Sequence, residues 1–207
     1  KKIKTGLITC GDIADATPAD FYAHQSSRDD ATAILKDLLK SPIDILMGSG
    51  DESLNNVGIL RESDKAKIGE DIVSELKTKY KLVSAVDSVK ENTKDKWIVI
   101  EKRAGLSMLD GRGNWLQQAF SKTINILSKN KEGFFMMAEG AQVDYGGHDN
   151  NIGYVATEVM DFDKTIGDAL RFADKDGETL VIVTADHETG GLTLLDGDYT
   201  KGYVSGQ

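Results

Sequence analysis

The stretch GFFMMAEGAQVDYGGH, residues 133–148, decides the architecture. An apolar run, residues 134–138, stops abruptly at Glu139-Gly140. A short continuous apolar run bounded by turn residues reads as a strand buried on both faces, the kind found in parallel sheets. The polar residues after it then lie at the carboxyl end of that strand. Gly140, Gly146 and Gly147 each weaken helix propensity. Residues 140–148 are therefore expected to form a loop that folds back, not a continuous helix.

The same pattern extends in both directions. Downstream, Val155, Val159, Phe162, Ile166, Ala169, Leu170 and Ala173 share one face of an amphipathic helix over residues 155–173. TLVIVTADH at 179–187 then reads as the strongest strand in the chain, apolar until it meets Asp186 and His187. Upstream, residues 5–10, IDILMG at 43–48 and KWIVIEK at 96–102 read as further strands. Helical spacing appears over 61–79, through Ile68, Ile72, Val73 and Leu76, and over 112–130, through Trp115, Leu116, Ala119, Phe120, Thr123, Ile124 and Leu127. Strands alternating with long helices imply an α/β fold, a mostly parallel sheet flanked by helices on both faces. Such sheets place their chemistry at the carboxyl ends of the strands. Residues 49–112, rich in Lys and Glu between apolar runs, read as connecting structure.

Composition narrows the function classes. The 207 residues carry 25 Lys and Arg against 34 Asp and Glu, which disfavours a nucleic acid as a stable partner. No apolar run approaches the roughly 18–20 residues of a membrane-spanning helix. The single cysteine, Cys10, can form neither an internal disulfide nor a thiolate zinc knuckle.

Metal-favouring side chains gather at two strand ends. Glu139, Asp144 and His148 follow the first, and Asp186, His187 and Glu188 follow the second. Imidazole with carboxylate suits zinc, and carboxylates alone suit magnesium. An Asp-His pair after a strand can also cap a helix or bond to backbone, so neither loop alone decides the matter. A third group lies in DATPADFYAHQSSR, residues 15–28. Thr17-Pro18 reads as a helix start with Thr17 at the cap. His24 and Arg28 are spaced one helical turn apart. Arg28 can form an exposed ion pair with Asp29 and Asp30, or grip a phosphate through its planar fork.

Together these segments identify a resemblance. TGLITC, DATPADFYAHQSSR, the ILMGSG turn, KEGFFMMAEGAQVDYGGHDNN and TLVIVTADHETGG resemble the alkaline phosphatases. The resemblance implies that Asp144 and His148 bind one zinc ion and that Asp186 and His187 bind a second. It implies that Glu139 and Thr17 bind magnesium, that Asp15 supports the magnesium through its water shell, and that Arg28 clamps phosphate. The role of Tyr145 is left open, at a position where the family varies. The implied reaction is in-line, two-step hydrolysis of phosphate monoesters that releases inorganic phosphate.

The sequence also departs from the family pattern. The Asp-Ser-Ala nucleophile segment, an early bridging aspartate and a third histidine after TADH are absent from the 207 residues. Each zinc pair keeps two ligands, so weak metal binding and no turnover by this chain alone are expected. Both ends read as cut, which makes residues 1–207 one α/β domain and a truncated portion of a larger enzyme. The resemblance further implies a periplasmic or secreted protein, compatible with a homodimer and without a membrane partner. A related metallophosphodiesterase, or a non-catalytic domain that retains the fold, stays open as an alternative.

Overall fold

The computed structural model describes residues 3–50, 70–91 and 94–193. Strand β1 (Lys4–Asp12) leads through α1 (Ala16–Ala19) and α2 (Ala31–Lys40) to β2 (Ile45–Ser49). Helix α3 (Glu70–Lys79), β3 (Lys81–Val83) and β4 (Trp97–Ile100) follow. Helix α4 (Trp115–Leu127), β5 (Phe134–Glu139), α5 (Gln142–His148) and α6 (Ile152–Asp176) complete the described elements.

The strands form one sheet in the order β3-β4-β2-β1-β5. Every described pairing in it is parallel. Alternation along each strand splits the core in two, because successive side chains point to opposite faces. Leu7, Leu46, Ile98 and Ile100 join Leu35 and Leu38 of α2 and Leu76 of α3 on one face. Ile8, Ile45, Met47, Trp97 and Val99 join Trp115, Leu116, Ile124 and Leu127 of α4 on the other. Burial on both sides explains the apolar runs of β1, β2 and β4, but β5, expected to be buried on both faces, is only partly buried, with Phe135 42% exposed. Within the stretch read as connecting structure, β4 is an interior strand of the sheet. The expected helix over 61–79 is described only from residue 70, and its first part lies outside the described residues.

Four expectations are corrected. Residues 142–148 form helix α5 despite their glycines. The glycines serve close approach instead. A Cβ at Gly146 would lie 2.9 Å from the backbone N of Val155, and one at Gly147 would lie 2.8 Å from the Thr189 carbonyl oxygen. Second, residues 179–187 form no strand, and Leu180 and Ile182 are 81% and 76% exposed. A strand exists through its ladder partners, and none of the described strands pairs with this run. Third, α1 is capped by Asp15, whose carboxylate accepts the Ala16 N–H at 2.8 Å, so Thr17 lies inside the helix and not at its cap. Residues 23–30, holding His24 and Arg28, are not helical.

The fourth correction concerns α6. It forms across the span that the periodicity indicated, but the residues it buries are Glu158, Asp161 and Thr165. Val159 and Leu170, placed on its apolar face, are 47% and 48% exposed. A buried arginine explains the inversion. Arg112 is 1% exposed and donates to both Glu158 and Asp161. Phe162 and Ala169 of the expected face still pack against the core, while the residues the helix buries fully are those of the ion group and Thr165.

Candidate metal centre

The centre is assembled at the carboxyl ends of β1 and β5. The two strands pair in register, and their last matched residues are Thr9 and Glu139. The Thr9 hydroxyl donates to Glu139 Oε2 at 2.5 Å and accepts the Gly11 N–H at 2.9 Å. Thr17 also donates to Glu139. Burial pushes the Glu139 carboxyl above its ordinary range. The two threonine hydrogen bonds oppose that rise, and the negative charges of Asp15 and Asp186 add to it. A partly buried carboxylate crowded by like charges is a site that a cation would relieve.

Asp15 ties this group to Arg28. Arg28 Nη2 donates to Asp15 Oδ1 at 2.8 Å, and the Tyr145 hydroxyl donates to Asp15 Oδ2 at 3.1 Å. Burial raises the Asp15 carboxyl, but hydrogen bonds from Arg28, the Ala16 N–H and Tyr145, with the Arg28 charge, hold it below its ordinary value. Arg28 therefore pairs with Asp15 across the site, while its side chain stays 67% exposed.

The two Asp-His pairs lie alongside. Asp144 and His148 are one turn apart on α5, with His148 Nε2 3.4 Å from Asp144 Oδ2. His187 Nε2 is 3.3 Å from Asp186 Oδ2. Two atoms bound to one tetrahedral zinc through bonds of about 2.0–2.1 Å stand about 3.3 Å apart. Each pair is thus spaced as two ligands of one ion. The pairs touch through Thr189, whose hydroxyl bonds to Asp144 Oδ1 and lies 2.8 Å from His187 Nδ1. Among the described residues, no group of three or more His, Cys, Asp or Glu side chains comes together as a metal cage. The donor chemistry and spacing fit zinc, with two protein ligands in each pair.

Comparison with known proteins identifies the family. The family model described as alkaline phosphatase matches residues 2–205. The chain belongs to the alkaline phosphatase family. It is 34% identical over 199 residues to alkaline phosphatase 4 of Bacillus subtilis (strain 168), covering 92% of this chain and 41% of that relative. Alkaline phosphatase 3 of the same organism is 34% identical over 207 residues, covering 94% of this chain and 42% of that relative. The solved alkaline phosphatase of the Antarctic bacterium TAB5 superposes with a TM-score of 0.82 at 37% identity, over 99% of this chain and 58% of that one. A mutant of it, described with Mg bound in the M3 site, superposes with a TM-score of 0.79 at 38% identity, over 92% of this chain and 54% of that one. The chain therefore spans about two-fifths of the length of these curated alkaline phosphatases.

The structure brings Asp15, Thr17, Arg28, Glu139 and Asp186 of the expected phosphatase site into one neighbourhood. It joins Asp144 to His187 through one hydroxyl. His24 takes no part; its backbone N–H donates to Asp37. Sequence reading passed over three supporting residues, Thr9, Gln142 and Thr189, and left open the role of Tyr145, which holds Asp15. Gln142, 2% exposed, donates to the carbonyls of Cys10 and Gly105 at 2.9 and 3.2 Å and accepts from the Tyr154 hydroxyl. It anchors α5 to the end of β1 and to the start of α6. Thr9 looked like an ordinary strand former and Gln142 like a loop residue. The available signal was a polar side chain placed beside a strand end that already carried acids.

Proposed function

We propose that this chain supplies most of the metal and phosphate ligands of an enzyme that hydrolyses phosphate monoesters. The observation that carries this reading is the pair of Asp-His sets, each at ligand spacing, joined by Thr189 beside the half-buried Glu139 group. Asp144 with His148, and Asp186 with His187, would each hold one zinc ion. Glu139 and Thr17 would hold magnesium, with Asp15 supporting its water shell. Two zinc ions and a magnesium ion supply, when bound, Lewis-acid activation of a nucleophile and stabilisation of the leaving oxygen.

The protein's own groups do the rest. Arg28 has five N–H donors, and its bond to Asp15 leaves others to grip equatorial phosphate oxygens where transition-state charge collects. Asp15 fixes the direction of that guanidinium. Tyr145 fixes Asp15 in turn, through a neutral hydroxyl that burial keeps protonated. No Asp-Ser-Ala segment that would carry a nucleophilic serine occurs within these 207 residues. An exported setting, periplasmic or secreted, accords with the family. Among the described residues no helix is long and apolar enough to cross a membrane.

Isothermal titration of the 207-residue chain with zinc, and then with inorganic phosphate in the presence of zinc and magnesium, tests this reading. Weak binding of both is expected, with phosphate binding lost in Arg28→Ala and no turnover of p-nitrophenyl phosphate by this chain alone. Binding of neither would instead mark a module that keeps the fold without the site.

A further inference from the structure

Helix α5 presents Asp144, Tyr145 and His148, yet little within the helix itself holds it in place. It is seven residues long, contains two glycines, and its N-cap residue Ala141 makes no side-chain cap bond. Such a helix is marginal on its own. Its direction is therefore set by what grips its buried face, which holds Gln142, Gly146 and Gly147. Gln142 is the polar group of that face, and it is 2% exposed.

The partners fix the amide in one orientation. Cys10 and Gly105 offer carbonyl oxygens at 2.9 and 3.2 Å, and a carbonyl only accepts. Both hydrogens of the Gln142 amide therefore go to them, and its oxygen accepts from the Tyr154 hydroxyl. The three bonds reach separate parts of the fold. Cys10 lies in β1. Gly105 follows β4 and rests against the end of β2, where a Cβ on it would be 2.8 Å from Ser49 Oγ. Tyr154 lies in the first turn of α6. Its ring covers Gly146, where a Cβ would be 3.1 Å from Tyr154 Cγ. Gln142 and Gly146 are one turn apart, so Tyr154 spans that turn, with its ring on one end and its hydroxyl on the other. One turn further along α6, Glu158 is held by Arg112. Asp144 and His148 stand about 200° and 240° round α5 from Gln142. Bonds made on the buried face thus aim the pair on the opposite face.

We propose that Gln142, locked by Tyr154, is a positioning residue for the Asp144–His148 pair. It ties α5 across the carboxyl ends of the sheet and so sets where those two ligands point. The proposal rests on the two-zinc reading above for its purpose, but the anchoring of α5 belongs to the metal-free chain. The Asp186–His187 pair lies off α5 and supplies the control.

The test compares Gln142→Met, Tyr154→Phe and the double variant in two backgrounds. His187→Ala leaves the Asp144–His148 pair, and His148→Ala leaves the Asp186–His187 pair. Zinc affinity is read by competition with a weak chromogenic chelator. In the H187A background Q142M should lose about 10-fold or more, and Y154F should lose less. The double variant should lose no more than Q142M, since both changes cut one chain of bonds. In the H148A background the affinity should hold within about twofold, an asymmetry that a general loss of stability would not produce. Amide hydrogen exchange of the metal-free chain gives a second readout. The α5 amides should exchange about 10-fold faster in Q142M while those of α4 keep their wild-type rates. Far-UV circular dichroism reports folding, and Y154F carries the comparison should Q142M unfold. Equal losses at the two pairs, no loss at either, or α5 amides that exchange as in wild type would overturn the proposal. A wild-type chain that binds no zinc, with α5 amides that loosen in Q142M, would sink the two-zinc reading and leave Gln142 as the anchor of α5.

Discussion

Thr9 and Glu139 are matched residues on neighbouring parallel strands, and the Thr9 hydroxyl donates to the Glu139 carboxylate at 2.5 Å. Strand register itself therefore aims one of the proposed magnesium ligands. Thr9→Val keeps the β-branched shape and the packing but removes the donor. Loss of one such orienting bond should weaken magnesium binding about 10–100-fold. It should cost the metal-free fold about 1–3 kcal/mol, since a buried acceptor loses a partner. Magnesium titration and urea unfolding of the same variant check the two effects separately. Equal magnesium affinity in T9V would show that Thr9 serves only the strand.

Tyr145 and Arg28 hold opposite oxygens of Asp15, at 3.1 and 2.8 Å. Tyr145→Phe removes one of these restraints and leaves the ring. A net hydrogen-bond contribution of about 0.5–1.5 kcal/mol corresponds to a loss of about 2–10-fold in phosphate affinity. Asp15→Asn should lose more, because it removes the charge that holds Arg28 as well. Calorimetric titration with inorganic phosphate in the presence of zinc and magnesium compares the two. A Tyr145→Phe chain that binds phosphate as tightly as wild type would confine Tyr145 to packing.

Much of the fold was legible because burial and periodicity agree in it. The runs at 43–48, 96–102 and 133–140 became strands, and the span 112–130 became α4, since apolar spacing there reports real contacts with the sheet. The failures share a cause. The strand expected at 179–187 depends on a ladder partner, which no local pattern records. The glycines of α5 weaken the helix locally, yet they admit the Thr189 turn and the start of α6. The face of α6 was legible only in part, at Phe162 and Ala169, because Arg112, more than forty residues away, makes Glu158 and Asp161 buried residues. Carboxylates and imidazoles after apolar runs were legible as a candidate site; the threonines and the glutamine that contact them were not, because their role lies in distances between elements.

Glu139 and Asp15 give the metal-free protein opposite pH responses. The Glu139 carboxyl is raised by burial above its ordinary value of 4.5, so the folded state holds its proton longer than the unfolded state. Stability from this group therefore falls as pH rises from about 4.5 through its folded value, and stays lower at neutral pH. Asp15 is held below its ordinary 3.8, so its contribution is present above that value and is lost as pH falls through its folded value. Glu139→Gln removes the first titration. The metal-free E139Q chain should gain on wild type as pH rises from 4 to 7 in urea unfolding, and saturating magnesium should cancel that gain by stabilising only the wild type. A stability difference that stays flat with pH would contradict the assignment of strain to the Glu139 charge.

Arg112 offers a sharper test of how α6 is held. Its side chain is 1% exposed, as are those of Glu158 and Asp161, and its Nη1 donates to the Leu106 carbonyl at 2.8 Å. Glu158 Oε1 also accepts the Met108 N–H at 2.6 Å, and Gln117 donates to Asp161 Oδ1 at 2.7 Å. One cation therefore faces two carboxylates out of reach of water. Removing that cation should destabilise strongly, because two buried like charges would be left without a partner: Arg112→Met is expected to cost about 3–5 kcal/mol in urea unfolding. Adding Glu158→Gln to that variant keeps an acceptor for Met108 and removes one of the two charges. The double variant should recover a substantial part of the loss, which simple loss of packing volume would not allow. An R112M chain within about 1 kcal/mol of wild type, or no recovery on adding E158Q, would mean that α6 is held by its apolar contacts through Phe162, Ala169 and Phe172 instead of by the ion group.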